Sequence, residues 1–280
     1  MVYQGAQSLA ITDEPVRLPQ SWFTADMAEP AMMEFAGRRL GIVSQRSPGK
    51  TTDNEDAVAV IPWDDHAGVL VVADGMGGGA MGEVASRLTI SHLASAIETA
   101  DRQHVQLRTA ILNGIEAANR EILELGRGAG TTLAVVEVAG TSIRHYHVGD
   151  SGILVCGQRG KVKVQTVAHS PVGYGVEAGL LDARQALHHD QRHLVSNVLG
   201  MADMRVEVGS ELKLAAHDTL VVASDGLFDN LHISEIVDLV RKGPLEQACI
   251  QLHTLANQRM TQPSETQPSK ADDLTFLVWR

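Results

Sequence analysis

The chain is short of positive charge: 23 Lys and Arg stand against 34 Asp and Glu among 280 residues, a formal charge of -11. That balance excludes a sequence-independent nucleic-acid binder, which neutralises phosphates with basic side chains. Cysteine is nearly absent. Cys156 and Cys249 stand far apart with no CxxC spacing, so neither a disulfide framework nor a cysteine zinc site is indicated. Both read as small buried hydrophobes. Aromatics make up 4% of the residues with no basic stripe beside them, which leaves no base-stacking platform and makes Trp63 and Trp279 packing residues. Long apolar runs are missing too. The cleanest, such as Val69 to Ala73, match a strand, whereas a membrane span needs ~20 residues. The opening Met1-Val2-Tyr3-Gln4-Gly5 has neither the basic region nor the apolar stretch of an export signal, so the expected location is cytoplasmic. With 44% hydrophobic and 20% charged residues, the chain suits one large soluble core with appendages.

Residues 1–38 carry Pro15, Pro19 and Pro30 with little periodicity and read as an appended N-terminal arm of uncertain order. Short apolar runs near 40–44, 57–61 and 68–73 predict strands, and helical spacing of apolar residues predicts helices over 80–98 and 105–125. A second strand series is expected at 131–138, 142–148, 152–156 and 162–167, joined by turns short enough for antiparallel hairpins. Strands near 204–208 and 219–223, helices around 234–241 and 244–259, and a last strand from Leu274 to Trp279 complete the set. Thr261 to Lys270 reads TQPSETQPSK, a polar near-repeat expected as a mobile loop. This order is α+β and alternates too little for a Rossmann or barrel fold.

The informative feature is a pair of similar segments, Val69-Leu70-Val71-Val72-Ala73-Asp74-Gly75 and Leu220-Val221-Val222-Ala223-Ser224-Asp225-Gly226. Each ends a buried strand with an acid followed by a glycine that permits a sharp turn. Asp-Gly alone is usually only a turn. Further acids sit at strand ends: Glu55-Asp56, Asp150, Asp229 and Asp272-Asp273. Carboxylates gathered without positive partners repel and are costly to desolvate, so their convergence would imply a hard divalent cation, and oxygen-only ligation suits Mg²⁺ or Mn²⁺.

Six motifs occur in an order that resembles the metal-dependent protein phosphatases (PPM family, type 2C), in a bacterial-type form. They are Asn54-Glu55-Asp56-Ala57, Val72-Ala73-Asp74-Gly75-Met76-Gly77-Gly78, Gly130-Thr131-Thr132, Val148-Gly149-Asp150-Ser151, Ser224-Asp225-Gly226-Leu227-Phe228-Asp229 and Asp272-Asp273-Leu274-Thr275. Weaker echoes are His169-Ser170, Glu177-Ala178-Gly179 and Asn197-Val198-Leu199-Gly200. The resemblance spans about residues 40–280. It implies a four-layer α/β/β/α sandwich of two antiparallel sheets flanked by helix pairs, a phosphatase domain over 39–280, and a short flap around 170–195 that governs substrate choice. It also implies a serine/threonine phosphoprotein phosphatase that acts in signalling opposite a serine/threonine kinase. By resemblance Asp74 bridges two Mg²⁺ or Mn²⁺ ions, the Gly75 carbonyl binds one, Asp225 and Asp272 bind the other, and Glu55 and Asp56 hold metal-bound water. A bridging hydroxide then attacks phosphorus, with no phosphoenzyme. Asp150 and Asp229, with Asp225, match a third, weaker metal position.

Three departures stand out. Thr51 occupies the position of the usual phosphate-binding Arg, and the adjacent Lys50 is the substitute, although an ammonium lacks the bidentate fork of a guanidinium. Met76 stands where some eukaryotic members have a His that protonates the leaving group. Asp273 replaces a common Asn, with little consequence expected because Asp272 is the ligand. Two rival readings remain. A catalytically weak binding or sensor module would explain Thr51. A P-loop nucleotide hydrolase would use Pro48-Gly49-Lys50-Thr51-Thr52, but the expected earlier Gly is Ser44 and the acids at 53, 55 and 56 would face the nucleotide phosphates. Gly126-Arg127-Gly128-Ala129-Gly130 lacks a GxGxxG ending and reads as a turn. His188, His189 and His193 lack a second ligand cluster for zinc and read as surface or flap residues.

Overall fold

The computed structural model of the chain describes residues 2–3, 16–76, 81–126, 128–264 and 266–280. Its first half runs β1 (Val2–Tyr3), β2 (Gln20–Phe23), β3 (Ala31–Phe35), β4 (Arg38–Gln45), β5 (Asp56–Pro62), β6 (Ala67–Met76), α1 (Met81–Glu98) and α2 (Leu107–Leu125). Next come β7 (Gly130–Thr131), β8 (Leu133–Ala139), β9 (Ser142–Val148), β10 (Gly152–Cys156), β11 (Val162–Gln165), α3 (Pro171–Glu177) and α4 (Ala183–Leu187). The chain ends with β12 (Glu207–Val208), β13 (Leu212–Lys213), β14 (Thr219–Ala223), α5 (Asp225–Phe228), α6 (Ile233–Val240), α7 (Leu245–Thr261) and β15 (Leu274–Trp279).

One sheet has the order β1-β2-β5-β6-β8-β9-β12, with β7 on β6 and β13 on β9; the other has the order β11-β10-β14-β15-β4-β3. Among the described strands all pairings are antiparallel except β1 with β2. The expected four-layer α+β sandwich is what forms. Each sheet buries one face on the other and one under helices, so its central strands are apolar on both sides and read as continuous runs. In β5 the alternation sorts the layers. Ala57, Ala59 and Ile61 pack beneath α1 and α2, while Val58 and Val60 join Val222 and Leu277 between the sheets. Outside the second sheet, Ile236, Val240 and Leu252 of α6 and α7 cover Val221 and Val278.

The region expected as an arm contributes to both sheets. β2 adds Trp22 and β3 adds Met33 and Phe35 to the inter-sheet core, so the packed unit begins well before residue 38. The β3–β4 hairpin turns on Ala36 (φ 49°) and Gly37 (φ 74°), two consecutive positive-φ residues as in a type I′ turn. Trp279 locks this corner from the other end of the chain: it is fully buried, its Nε1 donates to the Phe35 carbonyl at 2.9 Å, and the Arg38 guanidinium lies 4.8 Å from its ring centre. Burying such a side chain contributes about 2–3 kcal/mol. The expected strand over 204–208 shrinks to Glu207–Val208, and α7 runs on to Thr261. Within 170–195 lie two short helices. Ser170 caps the first, its Oγ accepting from the Gly173 N–H at 2.9 Å with Pro171 in the opening turn.

Candidate active site

Register places the acids. Asp56 opens β5 directly across from Asp74 near the end of β6, so two carboxylates share one edge of the first sheet. In the second sheet β14 ends at Ala223, opposite Phe276 of β15, which brings Ser224-Asp225 beside Asp272-Asp273-Leu274. A buried polar seam joins the two sheets here. Ser224 Oγ donates to Asp56 Oδ2 (2.9 Å), Asn54 Nδ2 donates to Ser44 Oγ (3.1 Å), and Ser44 Oγ bonds Thr275 Oγ1 (2.9 Å). Ser44 carries no signal in the sequence, and Ser224 and Thr275 appear there only as members of motifs, because the role of each comes through a partner far away in the chain.

Glycines let the backbones close around the acids. A Cβ on Gly75 would lie 2.1 Å from the Gly82 carbonyl oxygen, and one on Gly82 would lie 2.5 Å from Glu55 Oε1, so α1 seats directly on the Asp-Gly turn. Gly75 N–H donates to the Glu55 carbonyl at 3.2 Å, and Ser86 Oγ donates to the same carbonyl at 2.6 Å. The Asp74 carbonyl accepts from Thr132 N–H (2.9 Å) and Thr131 Oγ1 (2.8 Å), which gives the Gly-Thr-Thr motif its use. Gly149, at φ 98° and with a would-be Cβ 2.6 Å from Thr132 Cβ, turns the chain into Asp150. Gly77, Gly78 and Arg127 lie outside the described residues.

Oxygen atoms of Asp74, Asp150 and Asp225 lie within 4.8 Å of one another. Asp229 and Asp272 stand beside Asp225, all three gathered on the Lys270 ammonium: Nζ is 3.0 Å from Asp272 Oδ2, 3.3 Å from Asp229 Oδ2, and hydrogen-bonded to Asp225 Oδ2. Loss of hydration, then the charges of Asp56 and Asp225, raise the Asp74 pKa well above the carboxylate range. Burial followed by Asp272 does the same to Asp225. Asp150 rises to about 6 through burial and then Asp229, and Asp56 to about 8 through burial and then Asp273. Burial alone would lower the Lys270 pKa, but Asp225, Asp229 and Asp272 more than reverse it, so the ammonium stays charged.

Glu55 sits on the other flank. Its Oε2 takes Lys50 Nζ at 2.8 Å, and the same ammonium lies 2.6 Å from Asp273 Oδ2. Asp273, 4% exposed, also accepts from Ser47 N–H (2.7 Å) and Glu55 N–H (2.8 Å). The expectation that Asp273 matters little is therefore corrected: it fastens the Ser47–Glu55 loop and neutralises Lys50. Lys50 is held by these two acids instead of standing free for a phosphate, while Thr51 is exposed. The segment 48–52 runs from β4 toward β5 with no helix after it, which removes the P-loop reading.

A second cluster, His147, His169 and Glu207, has the spacing of a metal site. The hydrogen bonds of His169 argue against one there, although both ring nitrogens of His147 are buried without a hydrogen-bond partner. His169 Nδ1 accepts from Gly149 N–H at 3.1 Å, which leaves its ring proton on Nε2, 3.2 Å from Glu207 Oε2. A cation on Nε2 would have to displace that proton. His147 is fully buried and kept neutral, its pKa lowered to about 3 by burial and then by His169 and His145. His188 and His193 are exposed and belong to neither cluster.

The model of the protein phosphatase 2C family matches residues 48–262. The chain belongs to that family. It is 32% identical over 201 residues to the phosphatase PhpP of Streptococcus pneumoniae, covering 68% of this chain and 80% of that protein. The serine/threonine phosphatase of S. agalactiae superposes with a TM-score of 0.74 at 30% identity, over 86% of this chain and 98% of its own. The catalytic domain of the phosphatase PstP in complex with two manganese ions superposes at 0.67 and 25% identity, over 86% and 97% of the respective chains. This family member is a protein serine/threonine phosphatase, and the reading as an inactive module is not favoured.

Proposed function

We propose that this phosphatase is Mg²⁺- or Mn²⁺-dependent and that Asp74, Asp225 and Asp272, with Glu55, Asp56 and the Gly75 carbonyl, hold two ions. The observation that carries this is the convergence of Asp74, Asp150 and Asp225 at the open ends of both sheets with acceptors left over. Asp225 Oδ1 and Glu55 Oε1 are buried without a hydrogen-bond partner, as hard-cation ligands would be. Bound there, divalent ions supply an activated water and positive charge for the phosphate oxygens. The residues do the rest. Ser224 orients Asp56, Lys50 and Asp273 orient Glu55, and Thr131 with Thr132 fixes the Asp74 backbone. Met76 has no proton to give a departing alkoxide, so leaving-group protonation falls to solvent.

Beside the acids lies a groove of about 600 Å³, lined by Val172, Val176, Leu187, Phe228 and Ile233 with Arg192 at one side. It fits the chain that flanks a phosphoserine or phosphothreonine in a protein phosphorylated by a serine/threonine kinase. No helix among the described residues is long and apolar enough to cross a membrane. A cytoplasmic signalling role is the proposal consistent with it. The test is release of phosphate from an aryl phosphate and a phosphothreonine peptide, with ATP in parallel, during Mn²⁺ and Mg²⁺ titrations and a chelator control. Metal-dependent release from the two phosphoesters is expected. Release that persists in chelator would overturn the metal assignment.

A further inference from the structure

Lys270 ends a polar segment that the sequence marks as a mobile loop, yet the structure fixes it firmly. Its N–H donates to Asn230 Oδ1 at 2.8 Å, and Asn230 Nδ2 donates to its carbonyl at 2.8 Å; Asn230 is fully buried. One residue earlier, the Ser269 carbonyl accepts from Arg192 Nη2 (2.7 Å) and Ser269 Oγ donates to the Arg259 carbonyl (2.8 Å). The backbone therefore aims the lysine, and its ammonium reaches the point where Asp225, Asp229 and Asp272 meet. The short helix α5 opens with Asp225 and is capped by Asp229 one turn on, and Asn230 next to it holds the lysine that neutralises them.

We propose that Lys270 is a built-in cation occupying the outer carboxylate position, the place assigned by resemblance to a third metal on Asp150, Asp225 and Asp229. The chain then takes two divalent ions, not three. The inference rests on the two-metal reading above. Two features support it. Asp225 divides its oxygens, with Oδ2 on the ammonium and Oδ1 buried and without a partner, so one carboxylate serves the internal cation while keeping an atom for an inner ion. Like charges a few ångströms apart in a partly desolvated site repel strongly, so a divalent ion on Asp229 and the ammonium exclude one another.

The test counts Mn²⁺ on the chelator-stripped full chain by calorimetric titration and by electron paramagnetic resonance of the free ion. The wild type should bind two ions. Lys270→Met keeps the stem and removes the charge, and should bind three, the added one weakest; Lys270→Met with Asp229→Asn should return to two. Asp229→Asn alone keeps Lys270 paired with Asp225 and Asp272, so a folding defect in the lysine variant does not decide the matter. It should leave the count at two, with both affinities within about 3-fold of wild type. A wild type that binds three ions, one of them lost in Asp229→Asn, overturns the inference while leaving the two-metal reading intact. So does a folded Lys270→Met that still binds two. A wild type that binds none overturns the two-metal reading itself and the inference with it.

Discussion

Asp273→Asn restores the residue common in related phosphatases and should nevertheless destabilise this one. Asp273 Oδ1 accepts from Ser47 N–H, while Oδ2 accepts from Glu55 N–H and from Lys50 Nζ. An asparagine has one oxygen. With that oxygen turned to Ser47, its NH₂ faces an amide N–H and an ammonium, three donors with no acceptor between them. A buried unsatisfied donor costs about 1–3 kcal/mol, and removing one partner of a buried ion pair adds to that. Lys50 keeps Glu55 as a second anion, so the expected loss is about 2–4 kcal/mol. In thermal terms this is roughly 5–10 °C for a chain of this size. Urea unfolding followed by tryptophan fluorescence in chelator measures it, and a double-mutant cycle isolates the pair. Lys50→Met removes the ammonium that asparagine cannot satisfy, so Lys50→Met with Asp273→Asn should be less destabilised than the sum of the singles by about 1–3 kcal/mol. Additivity within about 0.5 kcal/mol, or a single Asp273→Asn as stable as wild type, would refute the coupling.

Asp74→Asn should lower turnover at least ~10²-fold while the chelated variant melts at or above wild type, because burial and the neighbouring Asp56 and Asp225 disfavour the charge that is removed. Unchanged turnover on an aryl phosphate would sink the ligand assignment. Thr51→Arg, at an exposed position, should lower KM for aryl phosphates roughly 10-fold with kcat little changed. A KM that stays or rises separates Thr51 from phosphate binding. Stability should also depend on pH. Asp150 and Asp56 have folded pKa values of about 6 and about 8, raised above the unfolded value near ~4. Their protonated forms favour the folded state, so this contribution is complete below pH ~4 and is lost as pH rises through 6 and then 8. Melting curves in chelator should fall over that window, and the increment from added Mn²⁺, which needs ionised ligands, should grow across it. A flat chelated profile would contradict the shifts.

Much of the site was legible because its acids end strands whose apolar runs are unmistakable. Val69 to Ala73 and Leu220 to Ala223 are buried on both faces, which fixes Asp74 and Asp225 at the rim. The helices over Met81–Glu98 and Leu107–Leu125 followed from apolar spacing for the same reason. β2 and β3 were not legible. They are 4 and 5 residues long, lie among prolines, and turn on Ala-Gly instead of the Asn-Gly that marks a type I′ hairpin. Nor could the sequence pair Lys50 with Asp273 or Lys270 with Asp225. Those partners are 223 and 45 residues apart, and no local period encodes a contact made only when two sheets close.

The two lysines explain how so acidic a site folds. Glu55, Asp56, Asp74, Asp150, Asp225, Asp229, Asp272 and Asp273 crowd one end of the sandwich, and desolvating them together is unfavourable. Lys50 neutralises the Glu55 and Asp273 flank, and Lys270 the Asp225, Asp229 and Asp272 flank. Between the flanks, no ammonium or guanidinium of the described residues lies within ion-pair distance of Asp74 or Asp150. If the acids were only a folding liability, a lysine would be expected in the middle as well. Instead the fixed cations stop at the edges and the central acids are left unpaired, with burial and the charges of Asp56 and Asp225 pushing Asp74 toward its protonated form when no cation is bound. A site that leaves acids unpaired only at its centre fits the divalent cations proposed to arrive from solution, with Lys270 as the proposed limit on how many can enter.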